Sequence, residues 1–238
     1  MPTTIGTIAS SRDAVCGLLR IRPSGNNQFQ VGFAGTGFGI VKDKYVVTAY
    51  HIFDDGQPRQ PADKFYAFAV PNNGPVAYHY PVTGFPLERQ DLDFAVLELG
   101  APPVPGGTIG SLPIHVAPVK DGTGVVTYGF PSPVVGGVTI DLAGNFMGGQ
   151  FLLKAYANEG IVAAQYDLGP SAILDFNVAW FNGESGGPII VEETGGVLAV
   201  MQTYRGIQSP HGVVPGPRSG RPLCLISKDL AALGAVVL

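Results

Sequence analysis

The chain has 238 residues, of which 45% are hydrophobic and 13% are charged, and its formal net charge is −4. This balance excludes an intrinsically disordered protein, since soluble domains carry about 25% charged residues, and the length suffices for a sizeable apolar core. No run of Lys or Arg points to a nucleic-acid or anionic-membrane partner.

The apolar runs and the amino-terminal segment bear on where the chain resides. No apolar stretch approaches the roughly 18 residues of a membrane span, and residues 1–13 lack the basic start and apolar core of a signal peptide. We therefore expect a soluble protein, cytoplasmic rather than secreted. Cys16 and Cys224 have no metal-binding or redox spacing, and we expect two buried free thiols, the alternative being a disulfide if the two ends of the chain meet.

Short runs of β-branched and aromatic residues, bounded by Gly, Pro, Asn or Asp, recur along the chain. Such runs predict strands, and their distribution predicts an all-β protein. The predicted strands cover residues 44–49, 64–70, 93–99, 124–128, 137–141, 150–156, 161–166, 188–192, 196–203 and 222–226.

Turn residues divide these strands. Residues 192–196 predict a hairpin connection, and the Pro- and Gly-rich stretch 101–110 separates two groups of strands of comparable size. A second such stretch, 212–222, predicts a long surface loop. Only the tail predicts a helix, at about residues 227–235, with Ser227 suited to cap its first amides.

A serine within a glycine-rich turn is the sharpest local feature, in the sequence Gly-Glu-Ser-Gly-Gly-Pro at residues 183–188. Glycines leave backbone amides uncrowded, so the amides of Gly183 and Ser185 could donate to a developing oxyanion. A serine hydroxyl is a poor nucleophile unless a base reaches it and a carboxylate orients that base. His51, just after an apolar strand, and Asp93, at the head of another, are the candidates.

These motifs resemble those of the trypsin-like, chymotrypsin-fold serine peptidase superfamily, and its bacterial and HtrA-like members most. Thr-Ala-x-His, Asp-Phe-Ala-Val-Leu and Gly-x-Ser-Gly-Gly-Pro occur in the family's order, and Gly35-Thr36-Gly37-Phe38-Gly39 also resembles a family segment. The resemblance implies two six-stranded Greek-key β-barrels, followed here by the short carboxy-terminal helix, and we expect no PDZ domain because no residues remain for one. The first barrel, residues 1–110, would carry His51 and Asp93, and the second, residues 111–238, would carry Ser185.

The resemblance further implies a serine endopeptidase in which His51, Asp93 and Ser185 form the catalytic triad. Its partner would be a protein or peptide substrate, and it would need no cofactor and no metal; the sequence leaves the oligomeric state open. By spacing from Ser185, the substrate pocket would include Ala179, with Gln202, Thr203 and Tyr204 on one wall. Residue 179 is an alanine and not an acidic residue that would favour Lys or Arg, so we expect an uncharged, apolar P1 residue.

Two residues depart from the family pattern. Glu184 occupies the position at which many digestive members have an aspartate, which pairs with an amino terminus freed by cleavage. The first residues, Met-Pro-Thr-Thr, do not resemble an activation site. We therefore expect an enzyme that is active without zymogen cleavage. Gln202 or a neighbour occupies the stretch where the family often has a serine that contacts the triad acid.

Three other functions compete with this one. The nucleophile elbow of α/β-hydrolases requires a following helix and a later acid and histidine, whereas strand residues follow Ser185. A pseudoprotease would bind a protein in the same cleft without cutting it, and a processing peptidase would act mainly on its own polyprotein. His79, His115 and His211 lack ligand-spaced partners, and we expect them in packing or surface roles.

Overall fold

The structure, a computed structural model, describes residues 4–54, 58–71, 76–166, 169, 172–179, 181–209 and 212–238. Within these ranges, the side chains of residues 4, 5, 203–209 and 212–217 lie outside the description. No helix in the described ranges is long and apolar enough to cross a membrane.

The first six strands close into an antiparallel barrel in the order β1-β2-β3-β6-β5-β4. Its strands carry fully buried apolar residues, among them Leu18, Phe38, Val47 and Leu97. They occupy both faces of the sheet, since Val47 pairs with Phe38 whereas Leu97 pairs with Val46. The strands are β1 (Val15–Gly25), β2 (Gln28–Val41), β3 (Tyr45–Ala49), β4 (Lys64–Ala69), β5 (Tyr78–Arg89) and β6 (Phe94–Leu99).

The carboxy-terminal half forms a second closed barrel in the order β10-β11-β14-β13-β12-β7. Between its first two strands in the chain, β8 and β9 form a separate two-stranded antiparallel hairpin. The strands are β7 (Gly124–Gly129), β8 (Val134–Ile140), β9 (Phe146–Leu152), β10 (Tyr156–Tyr166), β11 (Ile173–Asn177), β12 (Pro188–Val191), β13 (Val197–Ser209) and β14 (Gly212–Pro222).

Helices contribute little to the fold. Helix α1 (Thr4–Ser11) opens the described chain, and α2 (Ser227–Ala232) lies near its end. Short 3₁₀ helices cover Arg12–Ala14, Tyr50–Phe53 and Leu223–Ile226. The all-β prediction with two six-stranded barrels and a short carboxy-terminal helix is therefore confirmed.

Several local predictions are wrong. Residues 212–222, predicted as a loop, form β14, because its backbone pairs with β11 and β13 in spite of four glycines and prolines before Arg218. The strand predicted at residues 222–226 is a 3₁₀ helix, and Ser227 does not cap α2, since its hydroxyl donates to the Cys224 carbonyl. Both cysteines are free as expected, but only Cys16 is buried.

Two glycines in β2 allow close contacts with other segments. A Cβ on Gly39 would clash with the carbonyl oxygen of Gly110, in the stretch that connects the barrels, and one on Gly35 would lie 2.8 Å from the carbonyl oxygen of Ser185. Real Cβ atoms do not tolerate such distances, so a larger residue at position 35 would push the loop around Ser185 away. We call the contact of β2 and β3 with the loop around Ser185 the seam.

Candidate active site

His51 and Asp93 are brought together by the pairing of two strands in the first barrel. Ala49, the last residue of β3, pairs with Phe94, the first residue of β6, so the residues just beyond them meet. His51 Nδ1 lies 2.9 Å from Asp93 Oδ2, and the His51 amide donates to Asp93 Oδ1 at 2.7 Å. One carboxylate thus holds both the backbone and the ring of the histidine, which fixes the ring's orientation.

Asp93 itself adopts a left-handed backbone conformation, with a φ of 60°. Aspartate tolerates this conformation better than most residues, and here it turns the side chain toward His51 instead of along β6. Its carbonyl accepts a hydrogen bond from the Tyr50 amide at 3.2 Å. The turn before β6 is therefore tied to the 3₁₀ helix that carries the histidine.

Gln202, in β13, is the third partner of this carboxylate. Its Nε2 donates to Asp93 Oδ2 at 2.7 Å, so a side chain of the second barrel holds an acid of the first. The sequence indicated only that the stretch lacked the family's serine. The glutamine side chain is longer than that of a serine and reaches the Asp93 carboxylate from β13. This contact depends on side-chain length and on how the barrels dock.

Ser185 lies in a turn that leads into β12. Gly183 and Gly186, on either side, have φ values of +100° and +86°, a conformation that favours glycine. A Cβ on Gly186 would lie 2.1 Å from Thr48 Oγ1 and 2.2 Å from the Thr36 carbonyl oxygen. The glycine-rich motif thus serves the turn geometry and the close contact at the seam together.

Thr36 of β2 fastens this turn to the first barrel. Its amide donates to the Ser185 carbonyl at 2.8 Å, and its hydroxyl donates to the Gly183 carbonyl at 2.7 Å while accepting from the Phe130 amide at 3.1 Å. Thr36 is fully buried, so these bonds are shielded from water. Sequence reasoning noticed the Gly-Thr-Gly segment but assigned Thr36 no role, because its partners lie far along the chain.

The amides of Gly183 and Ser185 donate to no acceptor among the described residues. The carbonyl of Asn182 accepts from the Ser132 amide at 2.9 Å. Since the C=O and N–H of one trans peptide point in opposite directions, the Gly183 N–H points away from Ser132. Gly183, Ser185 and His51 line one cleft of about 610 Å³.

The Ser185 hydroxyl donates to the Gln202 carbonyl at 2.8 Å. Within the described part of the chain, no hydrogen bond joins it to His51, although both side chains border the same cleft. The structure thus brings the imidazole and carboxylate into direct contact, while the hydroxyl is hydrogen-bonded to the Gln202 carbonyl instead of the imidazole.

Glu184 points inward, beneath the turn. It is fully buried, its side chain packs on Gly129 of β7, and one of its carboxyl oxygens accepts the Phe181 amide. Burial raises the pKa of Glu184 to about 7, although the Phe181 hydrogen bond and the charge of Arg218 both act to lower it. Across the described ranges, the other carboxyl oxygen has no hydrogen-bond partner.

The predicted substrate-pocket residues are distributed differently. Ala179 is exposed and lines a second cavity, of about 600 Å³, with Glu159 and Glu192. It is not among the described residues that line the Ser185 cleft. The side chains of Thr203 and Tyr204 lie outside the described residues, so the pocket assignment stays a prediction. Over the part of the chain that is described, no three His, Cys, Asp or Glu side chains gather as for a metal ion.

Comparison with known proteins points to one family. A family model for the trypsin-like peptidase domain matches residues 35–200. The fold is similar to that of the HtrA-type protease AlgW with a decapeptide, with a TM-score of 0.64, 14% identity and coverage of 97% of this chain and 67% of that one. It is also similar to Deg5, with a TM-score of 0.61, 14% identity and coverage of 94% and 90%. No curated protein sequence matches.

Proposed function

Because this chain belongs to the trypsin-like peptidase family, we propose that it is an active serine endopeptidase whose catalytic triad is His51, Asp93 and Ser185. The family and the fold support a serine protease. The catalytic triad, the acyl-enzyme intermediate and the substrate preference are the parts that we propose.

The observation that carries the proposal is the 2.9 Å contact between His51 Nδ1 and Asp93 Oδ2 at the wall of a cleft that Ser185 also lines. Asp93 holds the ring so that Nε2 is free for the serine hydroxyl. Rotation of the Ser185 side chain away from the Gln202 carbonyl would bring its hydroxyl toward that nitrogen. Hydrogen bonds between catalytic groups are often long or misaligned before substrate binds.

In the proposed reaction, His51 accepts the Ser185 proton as the oxygen attacks a peptide carbonyl, and the protonated imidazole then passes that proton to the leaving amine. The result is an acyl-enzyme. Water hydrolyses this ester with His51 again as base, and the amides of Gly183 and Ser185 stabilise the oxyanion in both halves. Asp93 stabilises the imidazolium without taking up the proton.

For the substrate, we propose a protein or peptide with an uncharged, apolar P1 residue. The similar AlgW structure contains a decapeptide, and an extended peptide would occupy a cleft of this kind. Ala179 offers no carboxylate that would favour Lys or Arg. In a library of peptides that differ only at P1, cleavage after Leu, Val or Phe should exceed cleavage after Lys or Arg; the reverse order would refute this choice.

One observation favours a second candidate, a pseudoprotease that binds peptides without cutting them. The Ser185 hydroxyl is engaged by the Gln202 carbonyl and not by His51. If that orientation persisted when a peptide is bound, the chain would capture its target but the serine would stay unactivated.

A fluorophosphonate probe separates the two candidates, since it labels only a serine whose hydroxyl is activated. We expect stoichiometric labelling at Ser185 and none in Ser185→Ala or His51→Ala. Ser132→Ala is the matched control, because Ser132 is an exposed serine that lines the same cleft. Absence of labelling in a wild-type chain that still binds peptide would favour the pseudoprotease.

A further inference from the structure

The β8–β9 hairpin belongs to the second half of the chain but packs on the first barrel. Phe146 of β9 is 5% exposed, and its ring centroid lies 5.8 Å from that of Tyr66, 5.3 Å from that of Phe68 and 4.8 Å from that of His79. The last three residues come from β4 and β5, and we call them the aromatic socket. Several such ring contacts make a stable anchor.

Polar bonds reinforce this anchor. The Phe146 amide donates to the Tyr66 hydroxyl at 3.0 Å, within the buried contact. At the tip of the hairpin, Lys64 Nζ donates to the Ala143 carbonyl and to Asn145 Oδ1, each at 2.6 Å. The hairpin is therefore fixed to β4 both in the socket and at its tip.

At its other end, the hairpin leads directly to the turn around Ser185. Strand β8 begins at Val134, two residues after Ser132, whose amide donates to the Asn182 carbonyl at 2.9 Å. A Cβ on Gly183 would lie 2.4 Å from the Phe130 carbonyl oxygen and 3.0 Å from Pro133 Cδ. Residues 130–133 thus form the wall against which the Asn182–Gly183 peptide rests.

The orientation of that peptide decides whether the Gly183 N–H faces the cleft. With its carbonyl held by Ser132, the N–H points away from residues 130–133. If the wall withdrew, the peptide could turn over, because glycine at residue 183 accepts many backbone conformations. One of the two proposed oxyanion donors would then be lost.

From this chain of contacts we propose that the β8–β9 hairpin is a strut through which the first barrel sets the orientation of the Asn182–Gly183 peptide, with Tyr66 and Phe146 as positioning residues. The inference rests on the proposed function, because the Gly183 amide matters only if an oxyanion forms. It would also account for the expected activity without zymogen cleavage, since the strut is built from side chains already in the chain.

Two variants and a matched control test the strut. Phe146→Ala removes the ring that packs in the aromatic socket. Tyr66→Phe keeps the ring of residue 66 and removes only the hydroxyl that accepts a hydrogen bond from the Phe146 amide. Met147→Ala is the control, since Met147 is the next residue on the same strand but is 63% exposed. Each full-length variant is measured for kcat and KM on one peptide, and for hydrogen exchange of residues 181–186.

We expect Phe146→Ala to lower kcat about 100-fold, with KM changed by less than about threefold, because a misplaced oxyanion donor acts in the transition state. Tyr66→Phe should show the same pattern at about threefold to tenfold. In both variants the amides of residues 181–186 should exchange faster, and Met147→Ala should match wild type. Tyr66→Phe also guards against misfolding, since the socket stays filled.

The outcomes separate this inference from the proposed function. If the hairpin exchanges faster in Phe146→Ala while kcat and the exchange of residues 181–186 stay at wild-type values, the strut is refuted. If the wild type neither cleaves peptides nor reacts with a fluorophosphonate, the proposed function fails instead. In that case, hydrogen exchange of residues 181–186 in Phe146→Ala tests the strut alone. Faster exchange than in wild type would support it, and unchanged exchange would refute it.

Discussion

The two halves of the candidate site are built in different ways. In the first barrel, Asp93 and His51 are held by hydrogen bonds between residues that adjacent strands bring together. In the second barrel, Ser185 and Gly183 lie in a loop whose carbonyls accept hydrogen bonds from Thr36 of the other barrel. The acid–base half is thus held mainly by its own barrel, with Gln202 as a link to the second barrel, while the nucleophile half depends on the seam. Variants in each half should therefore fail differently.

The largest effect should come from a substitution of Asp93 in the acid–base half. Asp93→Asn keeps the shape but cannot hold His51 in the required tautomer, and kcat should fall by about 10⁴-fold, as for the same change in other Ser-His-Asp proteases. The melting temperature should stay close to that of wild type. Steady-state kinetics with thermal unfolding would test this, and a loss of less than tenfold would argue against Asp93 as the triad acid.

The second largest effect should come from the seam. Thr36→Val removes the hydroxyl that bridges the Gly183 carbonyl and the Phe130 amide, which leaves the buried amide and the half-buried carbonyl unpaired. An unpaired buried group costs about 1–3 kcal/mol. Both the free energy of unfolding and kcat should therefore drop, kcat by about 100-fold if the Gly183 amide shifts.

Thr127→Val provides the control for the seam variant. Thr127 is fully buried in β7, and its hydroxyl has no hydrogen-bond partner in the described part of the chain. Replacing an unpaired buried hydroxyl with a methyl group should be neutral or stabilising. Urea unfolding of both variants, with peptide kinetics, gives the comparison; equal losses in the two variants would mean that the seam bonds contribute nothing specific.

A smaller effect should come from the link between the halves. Gln202→Leu removes the amide that donates to Asp93 Oδ2 but leaves the backbone carbonyl that accepts the Ser185 hydroxyl. Asp93 keeps two hydrogen bonds from His51, so kcat should fall only about tenfold. A comparison of kcat for Gln202→Leu, Asp93→Asn and the double variant would measure the coupling between the two side chains.

The smallest effect at neutral pH should come from Glu184. Its pKa is raised from 4.5 to about 7 in the native state, so between these values the native state holds a proton that the unfolded chain has released. The stabilising contribution of this proton is complete below pH 4.5 and is lost as the pH rises through 7.

Glu184→Gln should remove this dependence, so the difference in unfolding free energy between variant and wild type should change steadily between pH 4.5 and about pH 7 and level off above that. Urea unfolding at several pH values measures it. Glu193→Gln, at the exposed turn between β12 and β13, is the control and should leave the slope unchanged. A flat difference for Glu184→Gln would mean that the buried carboxyl titrates normally.

The strands differ in how well the sequence predicted them. Strands β3, β4, β6, β7 and β12 were predicted within one residue at each end, because they are uninterrupted apolar or β-branched runs. Strands β1 and β2 were missed, since glycines and Pro23 weaken the strand pattern there. Gly35 is required by the seam, so a contact that organises the site also weakens the strand pattern of β2.

Local chemistry was enough to identify the candidate residues, because a serine among glycines, a histidine after a strand and an aspartate before one can be recognised within a few residues of sequence. Only the docking of the two barrels decided which groups touch them. Thr36 and Gly183 are separated by 147 positions along the chain, and Gln202 and Asp93 by 109. No local pattern encodes such contacts, since they depend on how whole sheets curve and pack.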